Sequence, residues 1–442
     1  MKVKHIVSLE NKYWRESTIN MNVTYEDTLE LTQDKRQIIK GFGGCFNEMG
    51  WDALEKVSLE VKDNIMHELF DEDKCHFTMG RLPIGASDYA LEWYSHDEVA
   101  EDYELNYFSI DRDQRYLIPY LREALAIQPN LSLFASPWSP PTWMKTKKAY
   151  NFGTLRWEKE VLDAYANYFV KFIEAYQQEG IKIEQIHIQN EPVADQKFPS
   201  CIWTGVELRD FIKNHIGPIF KGKEIDTDIW LGTLNGPFID FMLDNMTPFS
   251  EFYDQYVNTV LADKEARQYL SGVGFQWGGK HIIEQVEVSY PELRLMQTEN
   301  ECGDGLNSWE HAEYVYGLFW HYFHHGVESY IYWNIVLPQD GVSTWGWKQN
   351  ALITIDNEAN VTYQPEFYIM KHFSHFIKPG ARVIRTTGHW TANSIVFENP
   401  DGELVILVAS NMNNEREFTF KHEGKTFSTI IEPHSIHTFV IE

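Results

Sequence analysis

Residues 159–192 read KEVLDAYANYFVKFIEAYQQEGIKIEQIHIQNEP. Val161, Leu162, Tyr165, Phe169, Phe172, Ile173 and Tyr176 recur at three- and four-residue steps, which lines one face of a helix over 159–180 with apolar side chains. The short β-like run 186–189 follows and ends in Asn190-Glu191-Pro192. Outward from this unit the same order repeats. Runs at 41–44, 78–81, 131–135, 186–189, 229–232, 273–276, 293–298 and 330–333 alternate with helical patterns such as 51–70 and 309–326. Strand and helix alternating eight times over roughly 300 residues predict an α/β fold, the (β/α)8 TIM barrel, whose sites gather at the C-terminal ends of the strands. The sixth and seventh strands stand only about 20 residues apart, room for one short helix.

Beyond about residue 365 the pattern changes. Strands are predicted at 382–385, 394–398, 404–409, 417–420, 427–431 and 437–441, and Asn399-Pro400-Asp401-Gly402 is a hairpin signal. The stretch 22–31 also alternates and is an orphan unless it pairs with the C-terminal set. The expectation is a discontinuous β-sandwich side domain built from both chain termini. Residues 1–40 supply its N-terminal strands, 41–364 the barrel and 365–442 its C-terminal part.

Composition narrows the function classes. The 442 residues carry 38 Lys+Arg against 65 Asp+Glu, a formal charge of −27, which excludes nucleic acid as a default partner because phosphate binding needs clustered positive charge. No apolar run approaches the roughly 20 residues of a membrane span. The opening stretch MKVKHIVSLENKYWRES has two early lysines but no apolar core of about 7–15 residues and no small-residue cleavage site, so a cytoplasmic protein is expected. Cys45, Cys75, Cys201 and Cys302 lie far apart without a CxxC pair, which predicts reduced thiols rather than a zinc site or a disulfide framework. Aromatic residues make up 15% of the chain, which suits sugars, whose C–H faces stack on rings, and equally suits a large packed core.

In such a barrel chemistry belongs at the strand ends. The fourth ends Gln189-Asn190-Glu191-Pro192 and the seventh Gln297-Thr298-Glu299-Asn300-Glu301-Cys302-Gly303. Barrel closure brings the two ends to one rim. Glycoside cleavage needs such a carboxyl pair, one to protonate the leaving oxygen and one to attack or stabilise the anomeric carbon. Glu301 competes with Glu299, because residues two apart in a strand face the same side.

A more specific signal is an ordered series of blocks: Gly41-Phe42-Gly43-Gly44, Arg81-Leu82-Pro83-Ile84-Gly85-Ala86-Ser87-Asp88, Ala135-Ser136-Pro137-Trp138-Ser139-Pro140-Pro141-Thr142-Trp143-Met144-Lys145, Gln189-Asn190-Glu191-Pro192, Thr298-Glu299 and Tyr332-Trp333-Asn334. The series closely resembles the glucosylceramidase family, family 30 of the glycoside hydrolases. It continues to the C-terminus through Phe373-Ser374-His375-Phe376-Ile377-Lys378-Pro379-Gly380 and Ser435-Ile436-His437-Thr438. The resemblance implies a retaining, double-displacement enzyme for neutral β-glycosides, β-glucosidase- or glucosylceramidase-like and so tied to sphingolipid metabolism. Activities on β-xylosides, β-fucosides and β-1,6-glucans belong to the same family. It implies Glu191 as acid/base and Glu299, which follows the small residue Thr298 as in the family, as nucleophile. Asn190 would hold the sugar 2-hydroxyl. Asp88, Trp138 and Trp333 match positions lining the sugar pocket, with Asn334 beside the last, and Arg81 matches a charged partner of the carboxylates. Where many relatives carry His-Trp-Tyr after the sixth strand, this chain has Gln276-Trp277-Gly278. Gln276 joins the candidate binding residues, and a tyrosine that usually touches the nucleophile is missing.

The chemistry needs no cofactor and no metal. His321 and His325 have the four-residue spacing of a metal pair but no HExxH glutamate, so a helix-surface or core role is expected; His324 and His372 show no partner in sequence. Trp93, Tyr94 and Tyr103 either shape the substrate entrance or pack on the barrel rim, and the Trp345-Gly346-Trp347 loop either closes the pocket or does not. The expected partner is a small-molecule or oligosaccharide β-glycoside. The alternatives of another class are an inactive carbohydrate-binding protein and a metallohydrolase.

Overall fold

The computed structural model describes residues 2–237 and 249–442. Eight parallel strands build the barrel: Gly41–Cys45, Met79–Ile84, Ser132–Pro137, Gln185–His187, Asp228–Leu234, Leu270–Gln276, Arg294–Glu299 and Ser329–Asn334. Each of the first six pairs with the next in sequence, and the eighth returns beside the first, with Ser329 opposite Gly41. Lys159–Gln178 is the helix read from periodicity, and its seven apolar positions are all buried. The short connection after the sixth strand holds the seven-residue helix Ile283–Ser289. Inside the barrel Met79, Phe134, Trp230, Met296 and Ile331 pack together, so the lower barrel is a filled core.

Closure between the seventh and eighth strands is made partly by side chains. Gln297 accepts from the Ile331 N–H through Oε1 at 2.6 Å and donates to the Ile331 carbonyl from Nε2 at 3.2 Å. Asn300 Oδ1 accepts from the Trp333 N–H at 2.6 Å, and its own N–H donates to the Ile331 carbonyl at 3.1 Å. The glutamine amide stands in for the main-chain amide that a strand ladder would offer. Gln297→Leu roughly keeps the volume and orphans the buried Ile331 N–H, so unfolding free energy falls by about 1–3 kcal/mol. A lower urea midpoint at unchanged slope is the expected reading.

Both chain ends meet in one nine-stranded sheet. Its order is Lys425–Ile431, Arg416–His422, Thr28–Ile38, Arg382–Thr387, Ser394–Glu398, Leu404–Ser410, Ser435–Ile441, Val3–Leu9 and Lys12–Glu16. The sheet folds over on itself, so Phe418 stacks on Phe439 with ring centroids 5.2 Å apart, and Leu29, Trp390, Val396 and Ile406 fill the space between the layers. The N-terminal strand expected at 22–31 starts later, at Thr28, where its ladder to Arg416–His422 begins, and it runs on to Ile38. Its second half is obscured in sequence by Asp34-Lys35-Arg36 and by two register shifts against Arg382–Thr387. The hairpin Val3–Leu9 with Lys12–Glu16, which turns at Asn11 with φ 57°, has no counterpart in the sequence reading.

Two helices, Trp309–His324 and Pro365–Ser374, lie between barrel and sandwich, with Phe319 stacked on Phe373 at 3.9 Å. The indole of Trp309 donates to the His434 carbonyl at 3.0 Å, and Tyr316 donates to that of Asn393 at 2.9 Å. His324 and His372 do have partners. His324 donates to the Ser394 carbonyl at 3.0 Å, and His372 bridges Thr438 Oγ1 at 2.7 Å and Ser8 Oγ at 2.8 Å. Those partners come from the sandwich, so only folding brings them into range.

Candidate active site

The fourth strand ends irregularly. After His187 main-chain hydrogen bonds continue to both neighbours, from the Gln189 N–H to the Gly232 carbonyl at 2.9 Å and the Glu191 N–H to the Thr233 carbonyl at 3.2 Å on one side, and from the Asn190 N–H to the Pro137 carbonyl at 2.8 Å on the other. Glu191 then takes φ 52°, a left-handed backbone that a glutamate adopts only at some energetic cost and that clusters at functional sites. On the seventh strand a register shift between Gln297 and Glu299 sets Glu299 level with Gln276 of the sixth. The strand stops there. Glu301 therefore escapes the two-residue alternation: it is held by Lys280 and by the Tyr314 hydroxyl, which donates at 2.5 Å, away from Glu299.

Gln276 Nε2 stands 3.1 Å from Glu191 Oε1 and 3.2 Å from Glu299 Oε2. Two oxygens that share one donor in this way lie within about 6 Å of each other. That closeness is compatible with a retaining pair, whose carboxyl groups stand about 5–5.5 Å apart. Fully buried Arg81 donates from Nη1 to Glu299 Oε2 at 2.7 Å and to the Thr298 carbonyl at 3.1 Å, and from Nη2 to Asn190 Oδ1 at 2.7 Å and Ser136 Oγ at 2.9 Å. Its guanidinium lies 4.6 Å from the Trp138 ring centroid and 5.6 Å from that of Trp333. The other oxygen of Glu299 receives the Trp277 indole N–H at 3.3 Å, with the Cys302 thiol at 3.9 Å. An indole thus occupies the donor role that the missing tyrosine left open.

Above these groups is a pocket of about 200 Å³ lined by Asp88, Trp138, Asn190, Glu191 and Glu299 among others. These five expected residues come together on one cavity. Four others lie behind it. Arg81 and Gln276 sit beneath the carboxyls, Trp333 stacks under Trp138 with centroids 5.3 Å apart, and Asn334 ties Asn47, Gln349 and the Asn350 carbonyl. The pocket also takes in Gln196, Phe198, Asn235, Trp277, Cys302 and Gln349, none of which sequence reasoning assigned to the sugar site. Trp277 and Asn235 had a signal, since they directly follow the sixth and fifth strands, and Cys302 stands in the block that ends the seventh; Gln196, Phe198 and Gln349 arrive from loops whose paths no periodicity encodes.

Trp345 and Trp347 line the mouth, and their loop is strapped down where the Thr344 N–H donates to the Asp88 carbonyl at 2.8 Å and the Trp93 indole donates to Thr344 Oγ1 at 2.8 Å. Tyr94 instead donates to Asp113 at 2.7 Å, and Tyr103 meets Trp143 edge-on, so both pack on the rim. His321 and His325 bond backbone carbonyls, at Lys280 and His321. Among the described residues no cluster of three His, Cys, Asp or Glu is placed to hold a metal ion. All four cysteines are buried and free.

Burial raises both carboxyls of the pair. Glu191 is held well above the ordinary glutamate range by burial first and then by the charge of Glu299, with one amide donor pulling back. Glu299 is raised by burial too, but Arg81, Trp277 and Gln276 all favour its charged form. More donors face Glu299 than Glu191, which favours the charge on Glu299 and the proton on Glu191. Asp88 is pushed up to about 8, again by burial before the charge of Glu299. A neutral acid beside a fixed carboxylate, in a pocket the size of one sugar ring, can protonate a leaving oxygen while the carboxylate faces the carbon.

Residues 39–377 match the glycosyl hydrolase family 30 TIM-barrel domain, and residues 380–439 the family's beta sandwich domain. The chain belongs to glycosyl hydrolase family 30. As a family 30 enzyme it is a retaining β-glycosidase with a carbohydrate substrate, which sets aside an inactive binding protein. Lysosomal acid glucosylceramidase from Mus musculus is 26% identical to it over 93% of this chain and 83% of that protein. Endo-1,6-beta-D-glucanase from Neurospora crassa is 27% identical over 96% of this chain and 90% of its own. The solved structure of the endo-beta1,6-glucanase BT3312 superposes with a TM-score of 0.86 at 25% identity, covering 99% of this chain and 98% of that one. The cytoplasmic expectation is corrected by these relatives. One family 30 enzyme of matching extent is lysosomal, so the opening residues assign no compartment to this chain. No helix among the described residues is long and apolar enough to cross a membrane.

Proposed function

We propose that this family 30 enzyme releases a terminal β-glucosyl residue, with Glu299 as nucleophile, Glu191 as acid/base and Asn190 as donor to the sugar 2-hydroxyl. The observation that carries the reading is the single Gln276 amide nitrogen within 3.2 Å of both carboxyls. Glu299 attacks the anomeric carbon while Glu191 gives its proton to the departing oxygen; water, deprotonated by Glu191, then displaces Glu299, and the configuration is retained. Asn190 spends its Oδ1 on Arg81, which leaves its Nδ2 as the group able to donate to a hydroxyl.

The small pocket supports action on one terminal ring, with Asp88 and Trp138 against it and the leaving group directed past Trp277, Trp345 and Trp347. An aromatic mouth suits an apolar aglycone such as that of a glucosylceramide, in line with the mouse relative. The BT3312 structure supports the second reading, cleavage within a β-1,6-glucan. Initial rates on aryl β-glucoside, β-xyloside and β-fucoside, on glucosylceramide in detergent micelles and on β-1,6-glucan separate these readings, and proton NMR of the first-formed anomer checks retention. A preference for internal bonds of the polymer overturns the terminal reading.

The pH profile follows from the raised pKa of Glu191. Its proton is needed for leaving-group departure, and a group whose pKa is raised keeps that proton through neutrality. kcat/KM on a phenyl β-glucoside should therefore hold through neutral pH and fall at alkaline pH as Glu191 ionises. A fall complete by about pH 6, near the ordinary glutamate range, contradicts the assignment.

A further inference from the structure

We propose that Gln276 is a positioning residue whose one side-chain amide serves both half-reactions, donating to whichever of Glu191 and Glu299 is gaining negative charge. This rests on the roles proposed above for those two glutamates. Gln276 is fully buried beneath the pocket floor, at the C-terminal end of the sixth strand and level with Glu299. Its orientation is locked. Oε1 accepts from the Thr298 hydroxyl at 2.9 Å and from Arg81 Nη1 at 3.3 Å, which turns the NH2 toward the pair. Nε2 then reaches Glu191 Oε1 at 3.1 Å, Glu299 Oε2 at 3.2 Å and Asn190 Oδ1 at 3.3 Å.

In the first half-reaction an electron pair of the Glu299 carboxylate forms the bond to the anomeric carbon, the bond to the leaving oxygen breaks, and that oxygen takes the proton of Glu191. Glu299 loses its charge and Glu191 acquires one. In the second, water attacks the same carbon, its proton passes to Glu191, and the pair returns to Glu299 as that bond breaks. One negative charge is conserved and moves between two oxygens nearly equidistant from one nitrogen. A fixed donor there stabilises the acceptor of charge in each direction without moving, and preorganised donors of this kind lower barriers because nothing reorganises during the reaction. Glu299 also has Arg81 and Trp277, whereas Gln276 is the one side-chain donor to Glu191 among the described residues.

The two steps can be read separately. kcat/KM on phenyl β-D-glucoside, with its poor leaving group, reports formation of the glycosyl-enzyme, and kcat on 2,4-dinitrophenyl β-D-glucoside, with its good one, reports its breakdown. Gln276→Met should lower both by a similar factor of about 10–100, the range for a hydrogen bond to a charged group. Gln276→His, which restores a ring N–H donor, should recover part of both. If Gln276→Met fails to fold, Gln276→Ala, which removes the amide donor without overfilling the site or adding a charge, should show the same double loss. Slowing of one step alone, or a raised KM with kcat unchanged on the dinitrophenyl substrate, overturns the proposal, the latter marking a sugar contact instead. Glu191→Gln and Glu299→Gln run alongside. If they retain turnover the underlying assignment fails, and if they collapse while Gln276→Met keeps both rates, this inference alone fails.

Discussion

Glu299→Gln lowers turnover by more than about four orders of magnitude, the scale of removing the nucleophile from an interdependent catalytic unit. The amide is isosteric, can still meet Trp277, and cannot form the covalent intermediate. Glu191→Gln behaves differently. Loss of an acid/base costs about 10²–10⁴, and the deficit shrinks on substrates whose leaving group departs without a proton. Phenyl and dinitrophenyl glucosides assayed side by side separate the two glutamates. Circular dichroism checks that both variants are folded, and equal, leaving-group-independent losses would undo the division of roles. Glu301→Gln should leave both rates within about twofold, because its contacts are with Lys280 and Tyr314.

Arg81→Gln has the second-largest effect and acts on stability as well as rate. The guanidinium is fully buried and serves Glu299, Asn190, Ser136 and the Thr298 carbonyl at once while stacked on Trp138. Removing one partner of a buried ion pair leaves the other uncompensated and costs about 3–5 kcal/mol. Arg81 is also the largest influence that favours the charged form of Glu299, so its loss drives that carboxyl toward protonation. Less of the enzyme then holds a nucleophile at neutral pH, and kcat should fall by about 10³ or more with the acid limb of the profile displaced upward. Arg81→Lys does not rescue, because a point charge cannot reach the acceptors that the planar fork holds together. Urea unfolding and the pH profile are the two measurements, and retention of both stability and profile would remove Arg81 from this role.

How much was legible varied element by element. The barrel strands and the six C-terminal strands were read within a few residues, because burial on one or both faces imprints a period on the chain. The N-terminal hairpin was not, since Val3–Leu9 is recognisable as a strand only beside Ser435–Ile441, more than four hundred residues on. Strand-end glutamates with the ordered blocks around them pointed to Glu191 and Glu299. The division between pocket wall and supporting layer was invisible: Asp88 and Trp138 face the cavity, whereas Asn334, Trp333 and Gln276 stand behind it. Glu301 was a rival only while the strand was assumed to continue past Glu299.

From its own order of residues this chain settles what repeats locally: which segments are helix or strand, that eight such units close a barrel, and which strand ends carry acid groups. Local periodicity records burial, and burial is a property of neighbouring residues. Arg81 was marked as a partner of the carboxylates by the resemblance, but the Trp277 donor to Glu299, the amide shared with Glu191, and the side of the pocket on which the Trp345-Gly346-Trp347 loop settles belong to the tertiary structure alone. Each depends on side chains from different strands meeting within about 3 Å, a distance set by strand register and loop path.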